Sequence, residues 1–115
     1  MPDKDFAQNY IVELRRGSLT MGVLCALYKP HYGYSLLQTL QAMGLSIEAN
    51  TLYPLLRRLE VQGLLTSSWD VSESRPRKYY CISSKGGEVL QALLEEWKRM
   101  NASIEEIYKR GQSDE

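Results

Sequence analysis

The side chains with the clearest chemical potential lie on one side of a predicted helix that follows Ser46. At about 100° per residue, this outward side combines amide, phenol and guanidinium groups. Its members are Asn50, Pro54 and Arg57, flanked by Tyr53 and Arg58. The amide of Asn50 suits the hydrogen-bonding edge of adenine, and the fork of Arg57 suits that of guanine. Exposed arginines are more often simply solvated, so the surrounding elements must decide between DNA contact and a solvated surface.

The opposite side of the same helix is apolar and predicts a core. Leucines recur there at the i, i+3, i+4 and i+7 spacing of a helical stripe. They are Leu52, Leu55, Leu56 and Leu59. Pro54 is tolerated only near a helix start, which places that start between Glu48 and Thr51. Gly63 suits the left-handed position after many helix ends, so we expect the helix to end at about Gln62.

The segments before this helix predict two further helices. Residues 10–29 carry apolar residues at helical spacing, with a possible interruption at 17–18. After a predicted turn at 31–34, a short helix should end near Gly44. The short helix, the turn that follows it and the main helix together form a candidate helix-turn-helix.

A basic hairpin is predicted directly after the main helix. Residues 65–70 alternate in polarity, and residues 78–83 are rich in aromatic and β-favouring types. The basic residues at the tip between these strands are Arg75, Arg77 and Lys78. Such a wing could reach phosphates or the minor groove while the helix occupies the major groove. Taken alone, the loop could also be a solvated basic turn.

Residues 84–110 predict a long final helix with an apolar seam. The seam residues follow spacings of 3 and 4 over about two and a half heptads. They are Leu90, Leu93, Trp97, Met100, Ile104 and Ile107. Because a domain this small can leave such a stripe uncovered, its simplest partner is a second copy of the chain. The sequence therefore predicts a homodimer.

The charge of the 115-residue chain sums to zero, but it is unevenly distributed. Residues 1–86 hold ten basic and seven acidic side chains, whereas residues 87–115 hold four basic and seven acidic ones. A mildly basic front is thus separated from an acidic C-terminal segment. We expect a flexible N-terminus over 1–9, a DNA-binding domain over 10–83, a dimerisation helix over 84–110 and a tail over 111–115.

The sequence predicts neither an enzyme nor a cofactor or metal site. It has no paired carboxylates, nucleophile and base set, or phosphate-binding loop. His31 has no evident catalytic partner, so we interpret it as a surface turn residue. Cys25 and Cys81 lack metal-ligand spacing and are expected to be buried small hydrophobic residues. The N-terminus lacks a signal peptide pattern and no apolar run reaches roughly 20 residues, so we expect a cytoplasmic protein.

Four motifs resemble those of the PadR family of bacterial transcriptional regulators. They are E-L-R-R-G-S-L at 13–19, H-Y-G-Y-S-L at 31–36, T-L-Y-P-L-L-R-R-L-E at 51–60 followed by G-L-L, and R-P-R-K-Y-Y at 75–80. The resemblance covers nearly the whole chain. It implies a mainly α fold with a small β-hairpin: a winged helix-turn-helix followed by a C-terminal dimerisation helix. The function it implies is binding to a pseudo-palindromic operator and repression of transcription.

The resemblance also implies which residues face DNA. By position they are Tyr32, Tyr34, Asn50, Thr51, Tyr53, Arg57, Arg75, Arg77 and Lys78, to which the outward side of the helix adds Arg58. Two departures affect this assignment. Ser74 stands where the family often has glycine, which leaves the wing turn type open. H-Y-G-Y replaces a common H-G-Y, which leaves open whether His31 or Tyr32 approaches DNA.

The single C-terminal helix resembles the short PadR subfamily. In some of its members a tryptophan at the position of Trp97 stacks on flat aromatic drugs at the dimer interface. Trp97 could equally fill the interface as a packing residue, because large aromatic side chains dominate interfaces. The main rival to a DNA-binding regulator is a winged-helix protein-interaction module, which the zero net charge favours slightly.

Overall fold

The computed structural model describes residues 4–113, which form five helices and a three-stranded antiparallel sheet. In chain order the elements are α1 Lys4–Arg16, α2 Leu19–Ala26, β1 His31–Tyr32, α3 Gly33–Ala42, α4 Ala49–Val61, β2 Leu65–Asp70, β3 Arg77–Ile82 and α5 Ser84–Gly111. The predicted fold class, mainly helical with a β-hairpin wing and a long final helix, is confirmed.

The main helix, α4, follows the sequence prediction closely. It begins at Ala49, and Gly63 adopts the expected left-handed conformation, with φ +82°, just beyond its end. All four leucines of its apolar stripe are buried. They pack with Val23 and Leu24 of α2, with Leu27 directly after α2 and with Leu36 of α3. Each is a site where truncation to alanine should cost about 2–5 kcal/mol, so the core fixes which side of α4 faces outward.

The helical segment predicted over residues 10–29 forms two separate helices. The expected interruption is confirmed, since α1 ends at Arg16 and α2 begins at Leu19. The helical region starts earlier than expected, because α1 begins at Lys4 and not near Tyr10. Residues 1–3 lie outside the described part of the chain. The domain boundaries stay predictions.

The predicted turn at 31–34 is wrong, because a strand occupies its first two residues and helix α3 begins at Gly33. His31 and Tyr32 form β1, which pairs with Tyr80 and Tyr79 of β3 and completes a sheet in the order β1-β3-β2. A two-residue strand is too short to show alternating polarity, so no local pattern could reveal it. The ring of His31 shares a hydrogen bond of 3.1 Å with the Ser35 hydroxyl.

The two cysteines are less buried than the sequence suggested. Cys25 is exposed and Cys81 is half-buried, and both are free thiols. Cys25 lies on α2 between Leu24 and Leu27, which take the core positions and leave Cys25 at the surface. Its apolar neighbours in the sequence therefore misled the prediction.

The start of α5 belongs to the domain core. The Ser83 hydroxyl caps the helix by accepting the Gly86 N–H at 2.9 Å. Gly86 must be glycine, because a Cβ there would lie 2.1 Å from the backbone oxygen of Leu64. One turn later Leu90 is buried, so α5 is anchored at its first turns and extends away from the domain.

Candidate nucleic-acid interface

The outward side of α4 is exposed and carries arginines that no carboxylate of the described residues pairs. The exposed residues on it include Asn50, Thr51, Arg57 and Arg58. Among residues 4–113, neither Arg57 nor Arg58 forms an ion pair. A guanidinium without a carboxylate partner keeps its five donors available for an anion or a base edge. This side of α4 is therefore chemically suited to nucleic acid.

A groove of about 640 Å³ lies on one side of α4, between α3 and the wing. We call it the wing-side groove. The predicted DNA-facing residues that line it are Tyr32, Tyr34, Tyr53, Arg75, Arg77 and Lys78. The ring of Tyr53 reaches so close to Gly33 that a Cβ there would lie 2.6 Å from Tyr53 Cε1. The glycine of H-Y-G-Y thus lets α3 and α4 approach each other at this groove.

A second groove, of about 920 Å³, lies between the end of α1 and the first turns of α4. We call it the α1-side groove. Three predicted site residues, Asn50, Thr51 and Arg58, line it. Arg57 lines neither groove and lies on the outward side between them. The structure therefore divides the predicted site into two flanks of one helix.

Tyr32 is held at the base of the wing by a hydrogen bond and by ring contacts. Its hydroxyl donates to Asp70 Oδ2 at 2.9 Å, and its ring stacks on Tyr79 with centroids 4.0 Å apart. The Arg77 guanidinium covers the Tyr32 ring at 4.9 Å from the centroid. The neighbouring Tyr79 side chain, burial and the Asp70 carboxylate raise the pKa of Tyr32 well above its ordinary value. Its hydroxyl is thus a permanent donor that is already engaged within the protein.

Lys78 is likewise engaged within the protein. Its Nζ donates to Glu60 Oε1 at 3.1 Å, joining β3 to the end of α4. The second Glu60 carboxylate oxygen accepts the hydroxyl of Ser67 on β2. The Ser67 bond first, and then Lys78, lower the pKa of Glu60, while Glu60 raises the pKa of Lys78. These half-buried groups connect the helix to the wing.

The other wing cations are more accessible. Arg75 forms no ion pair among residues 4–113, and Arg77 lies 3.8 Å from the Glu73 carboxylate at an exposed site. Exposed pairs at that separation are weak. Asp70 closes the wing loop by accepting the Ser72 hydroxyl and N–H, which lowers the pKa of Asp70. Arg75 and Arg77 are therefore the wing cations available to a ligand.

The predicted seam of α5 divides into a buried and an exposed part. Leu90 is buried and Leu93 packs against the domain core. The remaining seam residues are exposed: Trp97 by 46%, Met100 by 47%, Ile104 by 60% and Ile107 by 69%. The apolar stripe from Trp97 onward thus lies beyond the core of its own chain.

Sequence reasoning missed several side chains of the two grooves. Trp69 on β2 is exposed and lines the wing-side groove, and Arg15 and Arg16 of α1 line the α1-side groove. The alternating pattern around Trp69 indicated only a strand. The two arginines stand in the E-L-R-R-G-S-L motif, but their distance from α4 in sequence gave no sign that they adjoin it.

Comparisons with known proteins agree with this architecture. The sequence model of the transcriptional regulator PadR-like family matches residues 23–92. The chain belongs to this family. A crystal structure of a PadR family transcriptional regulator from Eggerthella lenta is 46% identical, with a TM-score of 0.87 over 90% of this chain and 93% of that one. A PadR-like regulator from Bacillus cereus is 26% identical, with a TM-score of 0.76 over 89% of this chain and 99% of that one.

PadR membership makes this chain a winged-helix transcriptional regulator of a DNA-binding family. A curated relative, an uncharacterized protein of Lysinibacillus sphaericus, is 33% identical over 81% of this chain and 90% of its own length. Within residues 4–113, no helix is long and apolar enough to cross a membrane. The same residues contain no cluster of His, Cys, Asp or Glu suited to a metal ion.

Proposed function

We propose that this PadR-like protein is a homodimeric repressor that binds a pseudo-palindromic operator in double-stranded DNA. The observation that carries the proposal is the outward side of α4, where Asn50 is accompanied by exposed Arg57 and Arg58, which form no ion pair among residues 4–113. In this arrangement Arg57 reads guanine and Asn50 reads adenine in the major groove. Thr51, Tyr34 and Tyr53 contribute hydroxyl groups to the adjacent sugar-phosphate backbone.

In this proposal the wing supplies affinity more than sequence preference. Arg75 and Arg77 bind phosphates or enter the minor groove. Tyr32 and Lys78 have their polar atoms engaged with Asp70 and Glu60, so their role is to position the wing.

The exposed part of the α5 seam supports the homodimer. Its apolar side chains are large, and burying them against the same stripe of a second copy removes them from water. The resulting dimer sets two α4 helices about 34 Å apart, one turn of DNA. Dimer formation is checked by sedimentation equilibrium of the protein and of Trp97→Glu, which should be monomeric.

A small aromatic effector near Trp97 and Met100 relieves repression in this scheme. To relieve repression, the effector must bind with different affinities to the arrangements that α5 has in the free and in the DNA-bound protein. Fluorescence quenching in a Trp69→Phe background isolates Trp97 for this test. A compound that quenches Trp97 and lowers DNA affinity supports the effector site, whereas a pure packing role leaves Trp97 insensitive to all flat aromatic compounds tried.

DNA binding is tested by fluorescence anisotropy with a duplex from upstream of the protein's own gene and a random duplex. Wild type should prefer the upstream duplex, and Arg57→Ala should lose about 1–3 kcal/mol of that preference. Lys109→Ala, on the far end of α5, is the matched control and should keep it. Absence of salt-dependent binding to either duplex by wild type would indicate the alternative, a winged-helix protein-interaction module without DNA binding, which the zero net charge favours slightly.

A further inference from the structure

The α1-side groove concentrates positive charge that nothing in the described part of the protein pairs. Arg15 and Arg16 from the last turn of α1 meet Arg58 of α4 around this groove. Glu48 is the carboxylate that shares the lining. None of the three arginines forms an ion pair within residues 4–113. Like charges gathered in one groove repel each other, so the arrangement favours an anionic ligand.

The other side chains of this groove are suited to a phosphodiester. Hydroxyl groups of Thr20, Ser46 and Thr51 line it beside the arginines. Guanidinium and hydroxyl donors are the groups that bind phosphate oxygens in protein–DNA complexes. Arg15 is half-buried, and a partly desolvated cation gains more from an anion than a fully solvated one does.

The position of the groove indicates which phosphates it would meet. Asn50 and Thr51 line the groove and also lie on the outward side of α4. If the major groove of a DNA duplex lies over α4, one strand of that duplex therefore passes across the α1-side groove of the protein.

We propose that Arg15 and Arg16 bind backbone phosphates of the DNA strand that borders the major groove occupied by α4. The DNA interface then has three parts: the wing, α4 and the end of α1. This inference rests on the proposed function. A purely structural role is the alternative, because cations in the last turn of a helix also stabilise its dipole. That role affects folding but not the number of counterions released from DNA.

The test compares Arg15→Gln/Arg16→Gln with the matched control Lys98→Gln/Lys109→Gln on α5. Both double variants remove two positive charges. Affinity for the upstream and random duplexes is measured by anisotropy over a series of KCl concentrations. Each phosphate that the protein no longer binds should reduce the slope of log K against log salt by about 0.9. We expect a decrease of about 1.8 for the arginine variant on both duplexes and none for the control.

The preference for the upstream duplex should survive in the arginine variant, because phosphate contacts carry no base information. Arg15→Lys/Arg16→Lys retains the charges and should retain the wild-type slope. Should the double glutamine variant fail to fold by circular dichroism, each single variant is measured and expected to show a slope smaller by about 0.9. A folded variant with the wild-type slope overturns the inference alone. If the wild-type protein binds neither duplex, the proposed function is overturned, and the inference that rests on it is overturned as well.

Discussion

The two grooves beside α4 each contain three basic side chains but differ in how those charges are used. In the wing-side groove, Lys78 is paired with Glu60 and Arg77 covers the Tyr32 ring, so that Arg75 is the one cation of this groove with neither kind of partner among the described residues. In the α1-side groove, Arg15, Arg16 and Arg58 form no ion pair among the described residues. A basic residue in a motif is therefore not equivalent to a cation available to DNA. Its partners decide whether it binds a ligand or holds the fold together.

Breaking the connection between α4 and the wing should give the largest stability effect in this comparison. Lys78→Met removes the partner of a half-buried Glu60 carboxylate, so the free energy of unfolding should fall by about 1–2 kcal/mol. Urea unfolding followed by circular dichroism measures the change. Arg58→Met, from the α1-side groove, is the control and should lie within about 0.5 kcal/mol of wild type. Equal decreases in the two variants would remove the distinction between the grooves.

Tyr32→Phe should give a smaller effect at the base of the wing. The ring and its stacking on Tyr79 remain, but the hydrogen bond to Asp70 is removed. We expect a thermal midpoint between those of wild type and Lys78→Met, and weaker DNA binding with unchanged salt dependence. Tyr34→Phe, at an exposed site of the same groove, is the control and should retain the wild-type midpoint. An altered salt slope in Tyr32→Phe would mean that the Tyr32 hydroxyl contacts phosphate directly.

The smallest effect is expected in the pH dependence of stability. The pKa of Glu60 lies below its ordinary value of 4.5, mainly because the Ser67 hydroxyl donates to the carboxylate. A group with a lowered folded pKa stabilises the fold above its unfolded pKa and loses that contribution as the pH falls through the folded pKa. Wild type should therefore lose more stability than Glu60→Gln when the pH is lowered below 4.5. Parallel curves for the two proteins in urea unfolding across this pH range would contradict the assignment.

The elements with a long periodic pattern were predictable from the sequence. Pro54 and Gly63 predicted the bounds of α4, and its leucine stripe predicted its outward side, because four apolar residues at helical spacing leave a single way to face a core. The hairpin was predictable from alternating polarity and β-favouring residue types, and α5 was predictable from its apolar seam. Asn50, Arg57 and Arg58 followed directly from the α4 pattern.

The features that sequence reasoning missed depend on contacts between distant segments. Lys78 and Glu60 are 18 residues apart, and no local pattern pairs them. The strand at His31 exists only because β3 offers an edge for pairing. Arg15 lines the same groove as Asn50, Thr51 and Arg58 of α4, although these residues are far from it in the sequence. Leu90, predicted as part of the dimer seam, is buried in the core of its own chain because α5 starts against α2 and the sheet.

The measurement that tests the proposed interface most directly is the salt dependence of DNA binding for wild type, Arg75→Gln and Lys78→Gln, made side by side on the upstream duplex. Both variants remove one wing cation, but of the two only Lys78 has a carboxylate partner among the described residues. We predict that Arg75→Gln lowers the slope of log K against log salt by about 0.9, and that Lys78→Gln weakens binding with the wild-type slope. Equal decreases in slope, or wild-type binding that is insensitive to salt, would contradict the proposed division between cations that bind DNA and cations that hold the fold.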